Sequence, residues 1–366
     1  MRQADSLGDM TTMTTRCTRC LMPSTYPGIT FDGEGVCNYC LSYEKPELLG
    51  EARFLEKIHA HRGAAYDCVL GISGGKDSSY VAYLARKRFG LRALAVSYDF
   101  PFMVDLAREN AQAVCENLGI ELLVVKSRNN LEYDLLRNHL MSLAGTGTTW
   151  GQCMFCHYGI EAVLYQIAQT REIPFILSGV TESETWWNPG NRMGILAQRL
   201  KALPLSEKAV FGFHQFRAYL RLVDQRRQFP LPGNSPLKAY GKARAPATGP
   251  ETIRVFDYVG WDQEVIERIL QEETGWRKPA RSLSWRYDCI LEPLLDFTYK
   301  REFGISSAGL YLCSLIRSGQ ISREEGLRLL AESEDQASLD ASLQRVLDFL
   351  EIPERIQERY FRPQER

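Results

Sequence analysis

Short apolar runs alternate with helix-like segments between residues 66 and 179, and this alternation constrains the fold of the chain most strongly. The runs that predict strands are YDCVLGI (66–72), LRALAVSYD (91–99), ELLVV (121–125) and IPFILSG (173–179). The first two helical segments between them end at Gly90 and Gly119, since glycine is favoured where a helix ends. Strands separated by helices pair in parallel through right-handed crossovers, so we predict an α/β fold with a parallel sheet.

The first predicted strand leads directly into Ser-Gly-Gly-Lys-Asp-Ser at residues 73–78. This stretch is not a Walker P-loop, because Asp77 stands where that motif needs Ser or Thr, and it lacks the Rossmann G-x-G-x-x-G spacing. It still combines glycines that permit close backbone approach, the unpaired N–H groups of a helix N-terminus, and a lysine. The predicted phosphate-binding residues are Ser73, Gly74, Gly75, Lys76, Asp77 and Ser78. The alternative is a glycine-rich turn capped by serines.

Four cysteines near the start of the chain follow the spacing C-x₂-C-x₁₆-C-x₂-C. They are Cys17, Cys20, Cys37 and Cys40. This pattern predicts Zn²⁺ held by four thiolates, a closed and therefore structural site, against the alternative of four unligated cysteines. A ribbon this small cannot bury enough apolar surface to fold alone, so the metal would supply much of its folding free energy.

The residues SGGKDS resemble the pyrophosphate loop of the PP-loop ATP pyrophosphatases, a superfamily that includes NAD synthetase, GMP synthetase and tRNA thiolation enzymes. The resemblance implies a sheet of the adenine-nucleotide α-hydrolase type. It also implies that the loop holds the β and γ phosphates of ATP with Mg²⁺. An acceptor oxygen would attack the α phosphorus, and a nitrogen or sulfur nucleophile would then displace AMP. Lys76 and Asp77 are the catalytic residues that it implies in the loop.

The cysteine-rich segment CTRCLMPSTYPGITFDGEGVCNYC resembles the N-terminus of the N-acetyl sugar amidotransferases of lipopolysaccharide and surface-glycan biosynthesis. The resemblance covers residues 17–185 and, more weakly, residues 316–327. It implies an N-acetylated sugar nucleotide as acceptor, whose amide oxygen is adenylated before ammonia displaces AMP. The chain has no catalytic cysteine directly after Met1 and no Gly-x-Cys-x-Gly elbow, so we expect a separate glutaminase subunit to supply ammonia.

A second cysteine pair, Cys153 and Cys156, lies in WGQCMFCHYGI and is assigned as a further candidate catalytic pair. Three interpretations stay open: a structural element, a second metal site that uses His157, and a pair that handles sulfur. A sulfur-handling pair could carry a persulfide or ligate an iron–sulfur cluster, which would also need Cys289 or Cys313.

Sulfur handling would give the chain a different function. It would be a thiolation enzyme that adenylates a tRNA base or a small heterocycle and takes sulfur from a donor such as a cysteine desulfurase. The basic residues of segment 226–244 would then contact phosphates, although such runs are usually only solvated. Sulfur transfer needs Cys156 and amidotransfer does not. A third interpretation is a nucleotide-sensing module that binds ATP and releases no pyrophosphate.

Residues that follow the predicted strands are the candidates for nucleotide and acceptor binding, because these loops form the ligand sites of open α/β sheets. Ser97 ends the second strand, and Gly179 and Thr181 follow the fourth; all three are assigned to ATP. The predicted acceptor-binding residues are Glu182, Glu184, Trp186, Trp187 and Arg192. For the tryptophan pair, hydrophobic packing is the alternative.

These patterns divide the chain of 366 residues into five predicted segments. They are a disordered leader (1–15), a zinc ribbon (16–45), a PP-loop ATP-binding domain (60–200), a loop-rich insertion (201–290) and a mainly helical C-terminal region (291–366). The net charge of −1 indicates no general affinity for nucleic acid or anionic membranes. Because the chain has neither a membrane-spanning apolar run nor a signal-like start, we expect a cytoplasmic protein, and its oligomeric state, a homodimer included, stays open.

Overall fold

The protein is built on one parallel five-stranded sheet, which confirms the predicted fold class. The computed structural model describes residues 15–127, 130–143, 152–181, 200–201, 203–228, 249–279, 288–334 and 336–361. The predicted leader lies outside these residues apart from Thr15. The strands are β1 (Cys68–Gly71), β2 (Ala93–Asp99), β3 (Glu121–Lys126), β4 (Phe175–Ser178) and β5 (Glu251–Arg254).

The strand order is β3-β2-β1-β4-β5, and every neighbouring pair is parallel. In the central strand, Val69 pairs with Leu94 of β2 on one side and with Ile176 of β4 on the other. The chain adds β2 and β3 on one side of β1 and then returns to add β4 and β5 on the other side. The order therefore reverses between β1 and β4, and open α/β sheets bind ligands at such a reversal.

Helices cover both faces of the sheet and form a further group near the end of the chain. The earlier helices are α1 (Asn38–Leu41), α2 (Glu51–Ala60), α3 (Lys76–Tyr83), α4 (Asp105–Leu118), α5 (Leu131–Leu143), α6 (Met154–Thr170) and α7 (Leu205–Gln228). The later ones are α8 (Gln263–Glu273), α9 (Glu292–Phe303), α10 (Ser307–Arg317), α11 (Arg323–Ser333), α12 (Gln336–Phe349) and α13 (Glu354–Tyr360). Within the ranges described, no helix has the length and apolar character needed to cross a membrane.

Helices bury both faces of the sheet at β1, β2 and β4, whose successive residues point to opposite sides. Cys68 and Leu70 of β1 pack with α2, α3, α4 and α8, whereas Val69 packs with α5, α6 and α12. The central strand therefore has core on both sides, as its continuous apolar run predicts.

Strand β5 is the main difference between the observed sheet and the sequence prediction. Residues 201–290 contain α7, β5 and α8 in addition to loops, whereas the sequence pattern predicts a loop-rich segment without a strand. β5 is an edge strand of four residues in which only Ile253 is buried. A single buried residue cannot produce the alternating hydrophobic pattern that marks a strand in a sequence. Pairing with β4, rather than local propensity, therefore specifies this strand.

The cysteine-rich ribbon packs against α9, α10 and α11 and shares an apolar core with them. Thr25 Oγ1 donates a hydrogen bond of 2.8 Å to the carbonyl oxygen of Phe303. Arg323 Nε donates to the carbonyl oxygens of Cys17 and Cys20 at 3.3 and 3.2 Å. The ribbon thus stabilises, and is stabilised by, the helices α9 to α11.

Candidate functional site

The loop at residues 73–75 joins β1 to α3 at the carboxyl edge of the sheet. Gly74 has a φ angle of +77°, and a Cβ atom there would lie 1.9 Å from the carbonyl oxygen of Ala107. Only glycine fits this position without a shift of α4. Helix α3 begins at Lys76 and has no side-chain cap at Gly75, so its first N–H groups are suited to bind an anion.

Hydrogen bonds from near and remote residues hold the shape of the loop. Ser78 Oγ accepts a hydrogen bond of 3.2 Å from the backbone nitrogen of Ser73 and lies 3.2 Å from Ser73 Oγ. The carbonyl oxygen of Gly74 accepts from Trp276 Nε1 at 2.8 Å and from Asn110 Nδ2 at 3.4 Å. A loop that is ordered before binding loses less conformational freedom when the ligand arrives.

The segment after β4 touches the start of α3. A Cβ atom on Gly179 would lie 3.2 Å from the carbonyl carbon of Asp77 and 3.3 Å from the nitrogen of Ser78. Thr181 is 4% exposed, and its Oγ1 has no hydrogen-bond partner within the described part of the chain. A buried hydroxyl without a partner costs free energy, so Thr181 fits a site for a polar ligand. Ser97, at the carboxyl end of β2, is also buried.

Lys76 lies buried beside the loop although it carries an ammonium group. Its side chain is 2% exposed, and Nζ lies 2.9 Å from Asp77 Oδ2. Nζ also lies 5.4 Å from the ring centre of Trp261 and 5.8 Å from that of Tyr311. Trp261 Nε1 donates a hydrogen bond of 2.6 Å to Asp77 Oδ1. These contacts compensate the cost of burying the charge.

A carboxylate from the C-terminal part of the chain faces the same loop. A Cβ atom on Gly75 would lie 3.6 Å from Asp288 Oδ2 and 3.3 Å from Ser73 Oγ. The backbone nitrogen of Val104, the residue before α4, donates a hydrogen bond of 3.2 Å to the carbonyl oxygen of Asp288. This bond anchors Asp288 beside the loop. A carboxylate beside a phosphate site fits a bridging cation, and oxygen ligands suit Mg²⁺.

Sequence reasoning identifies the loop and misses the side chains that surround it. These side chains are Asn110, Trp261, Trp276, Asp288 and Tyr311. They come from α4, from both ends of α8 and from the C-terminal region. No local pattern relates them to the loop, so their role is visible only in the fold.

The four cysteines of the ribbon converge as predicted. Their Sγ atoms all lie within 4.8 Å of one another, and all four side chains are buried. Cys17 and Cys40 are 4.0 Å apart, and Cys20 and Cys37 are 3.8 Å apart, measured between sulfur atoms. A tetrahedral site with Zn–S bonds of about 2.3 Å requires sulfur–sulfur distances of roughly 3.8 Å, so the donor set fits Zn²⁺. The thiol of Cys313, on α10, contacts Cys20 from outside this group.

Cys153 and Cys156 do not form a comparable centre: within the described ranges, no group of three metal-ligating side chains includes them. Cys156, near the start of α6, is buried in the apolar core that also contains Val69 of β1. Cys153 is half-buried and packs against the core of the ribbon. His157 is exposed, whereas Cys156 is buried. Cys289 borders the same layer as Cys156. None of the ten cysteines, all of which lie in described residues, forms a disulfide.

A buried hydrogen-bond network lies near Cys156. The two oxygens of the Glu132 carboxylate accept hydrogen bonds from the hydroxyls of Tyr98 and Ser127. Burial, with the charge of Glu132, raises the pKa of Tyr98, so its hydroxyl remains a donor. Gly159 allows α6 to pack closely against Tyr98, because a Cβ atom at this position would lie 2.5 Å from Tyr98 Cε1. The network holds the carboxyl ends of β2 and β3 against α5, which carries Glu132.

The predicted ATP-binding residues lie at the carboxyl edge of the sheet: Ser97 within the last residues of β2, and the others on the segments that follow β1 and β4. The predicted acceptor-binding residues lie outside the described residues. They are Glu182, Glu184, Trp186, Trp187 and Arg192. Most of the basic segment 226–244 lies outside them as well.

Two family models match separate parts of the chain. Residues 50–135, which include β1, the loop, α3, β2 and β3, match the model for NAD synthase. Residues 282–365 match the model "LPS biosynthesis protein WbpG-like, C-terminal domain". These matches confirm the two resemblances predicted from the loop and from the cysteine-rich segment.

Individual relatives are similar over shorter stretches. An uncharacterized protein of Methanocaldococcus jannaschii, MJ1599, is 31% identical over 116 residues, covering 30% of this chain and 42% of that protein. An NH₃-dependent NAD⁺ synthetase of Thermococcus sibiricus is 36% identical over 84 residues, covering 20% of this chain and 33% of that protein. The chain thus spans less than half the length of either relative.

One similar solved structure extends over most of the chain. It is the U34-tRNA thiolase NcsA from Methanococcus maripaludis with its [4Fe-4S] cluster. The two sequences are 17% identical, the alignment covers 87% of this chain and 88% of that chain, and the TM-score is 0.34.

Proposed function

We propose that this chain, of which residues 50–135 match the family model for NAD synthase, cleaves ATP to AMP and pyrophosphate as PP-loop ATP pyrophosphatases do, and transfers nitrogen to the acceptor that ATP activates. One observation carries this proposal: residues 73–78, which are the loop and the first residues of α3, lie where the strand order reverses, in contact with the segment after β4. That position suits a nucleotide held across β1 and β4.

The proposed reaction has two steps. The oxygen of an acceptor amide attacks the α phosphorus of ATP, the bond from that phosphorus to the bridging oxygen breaks, and pyrophosphate leaves. Ammonia then attacks the amide carbon, its surplus protons pass to solvent, and AMP departs with the former amide oxygen. The product is an amidine, so nitrogen replaces oxygen without oxidation or reduction.

The described residues have distinct roles in this proposal. The backbone N–H groups of Gly75 and of the first turn of α3 hold the β and γ phosphates, whose charge grows as pyrophosphate leaves. Mg²⁺, held by Asp288, would neutralise part of that charge. Thr181 and Ser97 provide hydroxyls for the nucleotide at the neighbouring strand ends.

We propose an N-acetylated sugar nucleotide as the acceptor. The match of residues 282–365 to an LPS-related family model supports this choice. The same region supplies Asp288 and Tyr311 beside the loop, so the part of the chain with the surface-glycan signature also completes the ATP site. We also propose that residues 182–192 contact the acceptor and that a separate glutaminase subunit supplies ammonia.

The ribbon has a structural role in this account. Zn²⁺ held by its four thiolates would join the start of the chain to α10 and α11, whose Arg323 contacts the ribbon backbone. A closed Cys₄ site has no open coordination position for substrate.

Pyrophosphate release from MgATP and ammonium chloride tests the proposal. The acceptors would be a nucleotide sugar with an N-acetyl group and the same nucleotide sugar with a hydroxyl in its place. We expect release with the first acceptor only, and equal release by a Cys156→Ala variant. Release that requires sulfide instead of ammonia and disappears in Cys156→Ala would establish thiolation instead.

A further inference from the structure

Lys76 and Asp77 form an ion pair that is enclosed by aromatic side chains remote in sequence. The ammonium lies 2.9 Å from Asp77 Oδ2 and is almost fully buried. Trp261 lies between β5 and α8, and Tyr311 lies on α10. Neither residue is part of the loop motif, so the enclosure is a property of the assembled fold.

Trp261 contacts both members of the pair. Its ring lies 5.4 Å from Lys76 Nζ, and its Nε1 donates a hydrogen bond of 2.6 Å to Asp77 Oδ1. A cation over an aromatic face is attracted by the ring quadrupole, most strongly for tryptophan. One indole therefore fixes the lysine through its face and the aspartate through its N–H group.

Tyr311 contributes its ring in a fixed orientation. The ring centre lies 5.8 Å from Lys76 Nζ, and the hydroxyl lies 3.3 Å from Gln263 Oε1 at the start of α8. Two residues further along α10, Cys313 lies against the cysteine ribbon. This helix therefore extends from the cysteine ribbon to the loop.

We propose that Trp261 and Tyr311 are positioning residues for ATP cleavage, which hold the Lys76–Asp77 pair in the orientation that the pyrophosphate loop requires. This inference rests on the proposed function, because it assumes that the loop binds MgATP. Without the two rings, the buried ammonium would keep Asp77 but lose two aromatic contacts and the enclosure they form, and the start of α3 would shift or open to solvent.

Four variants of the full chain separate the contacts. Trp261→Phe keeps a ring and loses the N–H group, and Trp261→Ala loses both. Tyr311→Phe keeps the ring, and Tyr311→Ala removes it. Tyr83→Phe is the matched control, since its hydroxyl bonds to Glu273 away from the loop. Each variant would be tested for MgATP affinity by calorimetry, and for methylation of Lys76 by formaldehyde and borohydride, relative to exposed Lys201.

We expect Trp261→Ala to bind MgATP about tenfold more weakly and to methylate Lys76 faster, with Trp261→Phe in between. Tyr311→Ala should follow Trp261→Ala, and Tyr311→Phe should lie between Tyr311→Ala and the wild type because it keeps the ring and loses the hydrogen bond to Gln263. Tyr83→Phe should match the wild type. If Trp261→Ala does not fold, Trp261→Phe and Tyr311→Ala decide the question. Wild-type affinity and unchanged methylation in these variants would overturn the positioning role alone. A wild-type chain that does not bind MgATP would instead overturn the proposed function.

Discussion

A Cβ atom on Gly74 would lie 1.9 Å from the carbonyl oxygen of Ala107, so the loop and α4 are in contact through a position without a side chain. We predict that Gly74→Ala lowers MgATP affinity by about tenfold or more, because the clash adds to the strain of a positive φ angle. Calorimetric titration with MgATP measures the effect.

Gly90→Ala is the matched control for this variant. Gly90 also has a positive φ angle, +62°, but a Cβ atom there would meet no atom within 4 Å. It should lose some stability and retain its ATP affinity. Equal affinity losses in both variants would show that backbone strain, rather than the contact with α4, accounts for the result.

The four thiolates of the ribbon should hold about one Zn²⁺ per chain. We predict that Cys37→Ser loses the metal and lowers the midpoint of thermal unfolding by roughly 10 °C, because the metal-dependent ribbon shares a core with α9, α10 and α11. Cys115→Ala, at a buried cysteine of α4, should keep the metal. Metal analysis of both proteins checks this, and full zinc content in Cys37→Ser would refute the four-thiolate site.

Gly159 of α6 should be intolerant of a methyl group. A Cβ atom there would lie 2.5 Å from Tyr98 Cε1 and 3.1 Å from Glu132 Oε1. We predict that Gly159→Ala lowers the free energy of unfolding by about 1–3 kcal/mol, as overpacking does. Gly212→Ala, on α7 with no atom within 4 Å, should instead be neutral or stabilising by up to about 1 kcal/mol. Urea unfolding measures the stability of both variants. Equal changes in the free energy of unfolding would contradict the close packing of Gly159 against Tyr98.

Asp67 should make the protein sensitive to acid. Burial alone would raise the pKa of its carboxyl, but hydrogen bonds from Arg92 outweigh burial and lower that pKa. A lowered folded-state pKa stabilises the protein above the unfolded value and loses this effect as pH falls through the folded value. Asp67→Asn should therefore lose less stability than the wild type between about pH 5 and pH 2.

Urea unfolding across this pH range measures the difference. Asp257→Asn, at an exposed carboxylate paired with Arg254, should follow the wild-type curve. If Asp67→Asn loses as much stability in acid as the wild type does, another carboxylate is responsible.

The sheet could be predicted as far as its strands are continuous apolar runs. β1, β2, β3 and β4 all fall within the predicted segments, apart from the final Lys126 of β3. Burial on both faces explains the apolar runs of β1, β2 and β4, whereas β3 is an edge strand with no fully buried residue that is still rich in apolar residues. β5 could not be predicted, since its one buried residue, Ile253, has no neighbours that repeat the pattern.

The candidate site also has one part that the sequence predicts and another part that only the fold reveals. Residues 73–78 and the four ribbon cysteines are identifiable because each set is compact in sequence. Trp261, Trp276 and Tyr311 reach the loop only through β5, α8 and α10, whose packing no short motif encodes. Long-range packing thus determines the surroundings of a loop that is locally specified.

The most direct test of the account follows the acceptor oxygen. The protein, MgATP and ammonium would be incubated with an N-acetylated nucleotide sugar labelled with heavy oxygen in its acetyl carbonyl group, and AMP would be analysed by mass spectrometry. We predict that AMP carries the label and that the sugar gains one nitrogen in its place. Unlabelled AMP together with an amidine product would contradict activation of the amide oxygen as an adenylate.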